Sequence, residues 1–386
     1  KFLNANLKKL KKTSIYYWSP FLTPIATCKA VINSAYSLNK FGKDFDATIM
    51  NFFGEFNQNI SEIRKKKINL LNFYNLNIIK YLPKYGKISS RISFLIFFIL
   101  GFLPLLKTLK KKPPDYIVIH LITSLPLILL ILFSFKTKFI LRISGLPRLN
   151  MFRKLLWKFA FKKIYLITCP TNETNNYLKS LNLCDEKKLK ILFDPIIHVN
   201  KINKKKKEEI DLKEDFYLAI GRLTKQKNFL FLCECFEVLI KEHPTIKLFI
   251  IGEGENFYLL NNFIKNHKLS NNILLLGYKK NIFPYFKKAK GFILSSLWED
   301  PGFVLIEAAF SRSPVYSSDA KPGPYEIIKN NLNGTIFKNN DKNSFLKNFD
   351  NYLKNSGNSK IILENLKLSR KFSIFNHYKI LSNYLD

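Results

Sequence analysis

Gly291-Phe292-Ile293-Leu294-Ser295-Ser296-Leu297-Trp298-Glu299-Asp300-Pro301-Gly302-Phe303-Val304-Leu305-Ile306-Glu307-Ala308-Ala309 is the stretch on which the reading of this chain turns. A β-prone run, Gly291–Ser295, leads into a tight turn holding Pro301 and Gly302, and the turn opens a helix. A helix start leaves backbone N–H groups without partners and carries the positive end of the dipole, which suits an anion. Glu299 lies on the loop, and Glu307 lies about a turn inside the helix. A carboxylate accepts paired hydrogen bonds from vicinal hydroxyls such as those of a ribose or a hexose. One segment can therefore grip phosphate, ribose and sugar together. Two glutamates alone fit as readily a helix cap and an exposed surface group.

Working outward, a second turn follows the strand Phe216–Ile220: Gly221-Arg222-Leu223-Thr224-Lys225-Gln226-Lys227-Asn228. Gly221 permits a sharp exit, Arg222 offers a planar fork for phosphate oxygens, and Lys227 offers a point charge. Opposed to the Glu299–Glu307 segment across a cleft, these cations would neutralise a departing diphosphate; a basic solvated turn is the plainer alternative. A third turn, Gly252-Glu253-Gly254, ends the strand Lys247–Ile251. Its glycines suit either close approach to a nucleotide or tight packing of a helix on a sheet.

The same rhythm of short apolar runs and longer helical patterns fills the chain, as in parallel βαβ units. Ser14–Trp18, Ala47–Phe52, Tyr116–His120, Phe139–Ile143 and Ile164–Thr168 read as strands of one set. Ile273–Leu276, Gly291–Ser295 and Pro314–Ser317 extend a second set. The Lys-rich run Lys201–Glu209 lacks periodicity and reads as a connection between domains. The expected architecture is α/β, with two Rossmann-like domains whose parallel sheets face a cleft and ligands at the carboxyl ends of the strands. The domains are expected at residues 1–199 and 200–365, with a helix over 366–386 crossing back to the first.

The chain has 386 residues with 63 Lys and Arg against 28 Asp and Glu, a formal charge of +35. Lys, Asn, Ile and Phe are favoured throughout, so part of that charge is compositional habit. Its distribution is more telling. Residues 1–195 carry 33 basic against 9 acidic residues, and residues 196–386 carry 30 against 19. The more basic first half suits an anionic membrane surface or another polyanion. Two apolar stretches, Ile92–Leu106 and Leu121–Phe135, fall short of the roughly 20 residues that span a bilayer. Lys107, Lys110, Lys111 and Lys112 follow the first, so an interfacial helix and a buried core helix both fit it. The five cysteines show no metal-ligand spacing and suit a reducing compartment. No secretory signal peptide is legible.

Gly221-Arg222…Lys227, the Gly252-Glu253-Gly254 turn and Glu299-x7-Glu307, in this order, resemble glycosyltransferase family 4, most clearly over Phe216–Phe337. The resemblance implies the GT-B fold and a retaining, metal-independent transfer of a hexose from a nucleotide-diphosphate sugar, with no cofactor. Arg222 and Lys227 would bind the diphosphate, Glu307 the ribose, and Glu299 the transferred sugar. The backbone at Gly302, Phe303 and Val304 would approach phosphate or sugar, with Gly221, Gly252 and Gly254 lining the donor site. Asp115–His120 resembles the family's strand that ends in a histidine near the reacting sugar, which gives His120 a donor or acceptor role. Two departures stand out: Ser144-Gly145 where many members carry His-Gly, and Ser19–Pro24 in place of a Gly-Gly loop. Family habit implies a lipid-linked or surface-glycan acceptor and a place on the inner face of the cytoplasmic membrane. Competing readings are a sugar-nucleotide epimerase or phosphorylase of the same fold, a nucleic-acid-binding protein, and a silent membrane-docking module. No nucleic-acid-binding motif is present, and the oligomeric state is open.

Overall fold

The computed structural model describes residues 11–22, 26–83, 87–147 and 149–385, and of 87–90 the backbone alone. Seven strands form the first sheet: β1 (Thr13–Trp18), β2 (Phe45–Asn51), β3 (Asn69–Asn72), β4 (Tyr116–Ile119), β5 (Lys138–Arg142), β6 (Leu166–Cys169) and β7 (Leu189–Ile191). All pair in parallel, in the order β3-β2-β1-β4-β5-β6-β7. The central strands are covered on both faces, which is why Tyr116–Ile119 and Leu166–Cys169 are apolar runs buried throughout rather than alternating patterns.

The second half repeats this plan. β8 (Tyr217–Ile220), β9 (Leu248–Ile251), β10 (Ile273–Leu275) and β11 (Gly291–Leu294) belong to its main sheet. β12 (Trp298–Glu299) stands apart; β13 (Val315–Ser318) returns to the sheet; β14 (Lys321–Pro322) pairs with β12; β15 (Thr335–Phe337) closes the edge. The six-stranded order is β10-β9-β8-β11-β13-β15, and β12 with β14 makes a two-stranded ribbon. In each sheet the strand order reverses once, between β1 and β4 and between β8 and β11. A crevice opens at the carboxyl ends of such a switch point. The turns bearing Arg222 and Glu299 leave β8 and β11, so both stand at that point of the second sheet.

The chain crosses between domains twice, and the crossings lie side by side. The amides of Ile196 and Ile197 donate to the Phe372 carbonyl at 2.9 Å, and the Ile374 amide donates to the Ile197 carbonyl at 3.0 Å. Ile196, Ile197, Leu366 and Phe372 are packed in the second core, whereas Leu381 and Leu385 are packed in the first. From Ile374 onward the chain packs on the first domain, and at Ile196 it has entered the second core. The helix Ile374–Ser382 packs on the helix Ala26–Phe41. A polar network fixes it there. His377 is buried and its pKa is lowered to about 4, by burial first, so the ring is neutral. Its Nδ1–H donates to the Phe193 carbonyl at 2.6 Å, which leaves Nε2 to accept from Ser34 Oγ at 2.8 Å. The Tyr116 hydroxyl donates to the Leu385 carbonyl at 2.7 Å.

Lys201–Glu209 is not featureless: Val199–Lys205 is helical, anchored by the buried Ile202. Leu121–Phe135 contains a core helix, Ser124–Leu132, with Leu125, Leu127 and Leu129 buried. Ile92–Leu106 belongs to a longer helix, Lys87–Lys111, with Pro104 inside it. Its Arg91–Lys111 portion is long and apolar enough to cross a membrane by length and composition. One face, with Phe97, Leu105 and Leu109, sits in the first core, and Gly101 makes the closest approach to Leu125 and Trp18. The opposite face leaves Ile92, Leu95, Ile99 and Leu103 exposed. The core reading therefore holds for the face that carries Phe97, Leu105 and Leu109. No disulfide joins any of the five cysteines, and Cys233 and Cys235 are both buried in the helix Phe229–Glu242.

Candidate active site

The ammonium of Lys227 forms an ion pair with Glu299 Oε1, and both side chains are about nine-tenths buried, at 12% and 9% exposure. Local backbone bonds bring them together. Ser295 Oγ donates to the Lys227 carbonyl at 2.8 Å, the Leu297 amide donates to the Gln226 carbonyl at 2.8 Å, and Gln226 Nε2 donates to the Trp298 carbonyl at 2.9 Å. The exit of β8 is thereby stitched to the exit of β11. A Cβ on Gly221 would lie 2.9 Å from Lys227 Cε and 3.0 Å from its Cδ. The alkyl chain of Lys227 lies across Gly221, so a larger residue there would lift the ammonium off Glu299. Ser296 Oγ donates to the same Glu299 oxygen at 2.8 Å, and Ser318 Oγ anchors Ser296 through its carbonyl.

Arg222, on the same turn as Lys227, is exposed and has no ion-pair partner among the described residues. Gly252 and Gly254 answer to packing. A Cβ on Gly252 would lie 1.8 Å from the Gly221 carbonyl oxygen, and one on Gly254 would lie 2.5 Å from that of Leu223. The loops after β8 and β9 touch backbone to backbone, joined by the Gly221 amide to the Ile251 carbonyl at 3.0 Å and the Leu223 amide to the Glu253 carbonyl at 2.9 Å.

The helix Phe303–Phe310 starts at Gly302, whose φ of +96° places it in the left-handed region, and no side chain caps it. The amides of Phe303 and Val304 thus belong to an uncapped first turn beside Glu299. Glu307 is the fifth residue of this helix. Burial pushes its pKa up, against the pull of Lys29 from the first domain and Lys205 from the helix Val199–Lys205.

His120 is placed differently. Its amide donates to the Trp18 carbonyl at 2.8 Å at the end of β4, and the ring is 6% exposed. It lines a small internal cavity with Arg142, Asp194, Thr168 and His377. Burial, then Arg142 and His377, lower its pKa to about 3, so the imidazole is neutral. The structure pairs Lys227 with Glu299 beside the helix start at Gly302, puts Arg222 exposed on the turn that carries Lys227 and Glu307 inside the helix that follows, and sets His120 in the first domain. Arg142 donates to Asp194 at 2.5 Å and to the Leu192 carbonyl at 2.9 Å, a buried pair that sequence inspection passed over. Thr23 and Pro24 of the Ser19–Pro24 loop lie outside the described residues. Among the described residues no cluster of three His, Cys, Asp or Glu side chains could hold a metal ion.

Comparison with known proteins places these features. Residues 200–368 match the family model described as "Glycosyl transferases group 1". An uncharacterized glycosyltransferase of Methanocaldococcus jannaschii is 30% identical over 317 residues, covering 77% of this chain and 74% of that protein. The N-acetylgalactosamine-N,N'-diacetylbacillosaminyl-diphospho-undecaprenol 4-alpha-N-acetylgalactosaminyltransferase of Campylobacter jejuni is 29% identical over 222 residues, 55% of this chain and 60% of that one. The crystal structure of a glycosyltransferase from Rickettsia africae superposes with a TM-score of 0.72 at 18% identity, over 97% of this chain and 98% of that chain. The pairing of two parallel sheets around a crevice is the GT-B fold of such enzymes, and this chain belongs to the group 1 glycosyltransferases.

Proposed function

We propose that this enzyme transfers a hexose from a nucleotide-diphosphate sugar to a lipid-linked or surface-glycan acceptor, with retention of anomeric configuration and without a metal ion. The observation that carries this reading is the Lys227–Glu299 pair at the uncapped start of the helix Phe303–Phe310. Arg222 and Lys227 would take the two phosphates, the Phe303 and Val304 amides the nearer phosphate or sugar oxygens, Glu299 the sugar and Glu307 the ribose. The acceptor hydroxyl attacks the anomeric carbon on the face the diphosphate leaves. The new C–O bond forms as the bond to phosphate breaks, and the hydroxyl proton passes to the departing phosphate oxygen. Negative charge then grows on the diphosphate, where fixed cations and amides act without reorganising. His120, neutral and held at the end of β4, would order the first-domain side of the crevice.

The acceptor reading draws on the diphospho-undecaprenol named for the Campylobacter relative. It also draws on two exposed apolar ridges of the basic first domain. Ile99 and Leu103 lie on Lys87–Lys111, and Met151, Phe152 and Leu155 lie on Met151–Lys163, among lysines. Such a face suits insertion at an anionic bilayer, here the inner face of the cytoplasmic membrane. Incubation with UDP- and GDP-sugars and undecaprenyl-diphosphate glycans, with and without chelator, tests the whole reading by proton NMR of the product. Turnover unchanged by chelator, with the donor's anomeric configuration kept, is expected. An inverted product or loss of turnover on chelation would refute the corresponding clause.

A further inference from the structure

Asp300 follows Glu299 in the chain, yet among the described residues every hydrogen bond its carboxylate accepts comes from the other domain. The Gly145 amide donates to Oδ2, the Thr174 hydroxyl donates to Oδ2 at 3.1 Å, and the Thr171 hydroxyl donates to Oδ1 at 3.2 Å. Thr171 is the N-cap of the helix Asn172–Ser180, so the carboxylate also meets the positive end of that helix. A second acid from the same side joins it. Glu326, in the helix Gly323–Ile327, accepts from Asn172 Nδ2 at 2.7 Å and from the Glu173 amide at 3.0 Å.

The two acids ride on one rigid piece. β12 and β14 pair Glu299 with Pro322, and a Cβ on Gly323 would lie 2.2 Å from the Pro301 carbonyl oxygen. The turn holding Glu299 and Asp300 and the turn holding Glu326 therefore move as a unit. Thr174 is fully buried, and its hydroxyl accepts from Thr171 Oγ1 at 3.0 Å while donating to Asp300, so Asp300 takes the one proton it has to give.

From these contacts we infer that Asp300 is a positioning residue: it latches the turn bearing Glu299 onto the first turn of the helix Asn172–Ser180, holding the sugar-gripping acid in register with the acceptor domain while the crevice is closed. The inference rests on the reading of Glu299 as the donor-sugar contact. Loss of the latch lowers the fraction of molecules in the competent arrangement, and apparent affinity falls with that fraction.

The test combines Asp300→Ala, Asp300→Asn and Thr174→Val in the full chain. Small-angle scattering reads domain closure without reference to activity; kcat/KM for the donor sugar reads its consequence. Asp300→Ala should increase the radius of gyration and lower kcat/KM about tenfold, the scale of a coupled contact pair. Asp300→Asn, which keeps an acceptor for the Gly145 amide, should restore both to within about threefold of the parent. Thr174→Val should cost activity in the parent and little in Asp300→Ala. An unchanged radius in Asp300→Ala, failure of the Asn rescue, or strictly additive effects of Asp300→Ala and Thr174→Val would overturn the latch. A parent chain that turns over no nucleotide sugar, while Asp300→Ala still opens it, would refute the donor reading and leave the latch standing.

Discussion

Replacing Lys227 with methionine should separate what the Lys227–Glu299 pair does for stability from what it does for the reaction. Methionine keeps an unbranched chain across Gly221 but removes the charge. Glu299 is then left nearly buried, with Ser296 Oγ at 2.8 Å as its remaining side-chain donor among the described residues. Stranding one member of a fully buried pair costs about 3–5 kcal/mol, and a surface pair is worth about 0–1 kcal/mol. At 12% and 9% side-chain exposure the pair lies toward the buried end, so a loss of roughly 2–3 kcal/mol is expected. Adding Glu299→Gln removes the stranded charge while keeping an acceptor for Ser296, and should recover most of that loss. Turnover should behave otherwise. Losing one preorganised group facing the developing charge lowers kcat by about a hundredfold or more, and the second substitution should not bring it back. Urea unfolding and single-turnover transfer with saturating donor supply the two measurements. Equal stability of Lys227→Met and the parent would deny that the pair is desolvated. Recovery of turnover in the double variant would deny that the Lys227 charge acts on the leaving group.

Arg222→Ala should leave stability within about 0.5 kcal/mol, because the guanidinium is exposed and unpaired among the described residues, yet lower kcat/KM markedly; unfolding curves beside initial rates check this. Gly252→Ala should destabilise by roughly 2 kcal/mol or more, since the added methyl would meet the Gly221 carbonyl oxygen at 1.8 Å; thermal unfolding is the readout, and a neutral result would mean the β8 and β9 loops are farther apart. Removing the chain after Ile362 should expose the surface of Ala26–Phe41 that Ile374–Ser382 covers, giving a lower midpoint and dye binding to exposed apolar surface. The pH response of Asp300 has a definite sign. Burial raises its pKa to about 6, with Asp194 adding and Arg142 opposing; Cys169 is a further titratable group coupled to it. The folded form then binds the proton more tightly than the unfolded chain. That contribution is complete below the ordinary carboxylate value and is lost as pH rises through about 6. Parent and Asp300→Asn stabilities should therefore converge near pH 4 and diverge in favour of asparagine toward pH 7.

The strands buried on both faces were legible because such strands carry apolar residues at every position, as in Tyr217–Ile220 and Leu248–Ile251. The edge strands β3 and β7, Asn-Leu-Leu-Asn and Leu-Lys-Ile, were not, since half of each faces solvent or a loop. That Lys227 and Glu299 face one crevice was legible because their turns leave neighbouring strands of one sheet; their direct ion pair was not. Asp300 escaped notice for the opposite reason. Its meaning lies in Gly145, Thr171 and Thr174, more than a hundred positions upstream and on another sheet, where no local pattern points back to it. His120 shows a middle case: its place at a strand end is readable, while the cavity it lines is closed in part by His377 and Leu381 from the end of the chain.

The paired crossings at Ile197 and Phe372–Ile374 bear on how the two halves can move. Two backbone segments bridged by three amide-to-carbonyl hydrogen bonds resist sliding past each other, but they twist readily about the line between them. The enzyme should open like a book on a narrow spine, along one swing, rather than by shear. The His377–Ser34 contact lies only a few residues beyond that spine, so each swing carries the final helix and the helix Ala26–Phe41 as one cover. Probes placed on either of those two helices would report the same angle.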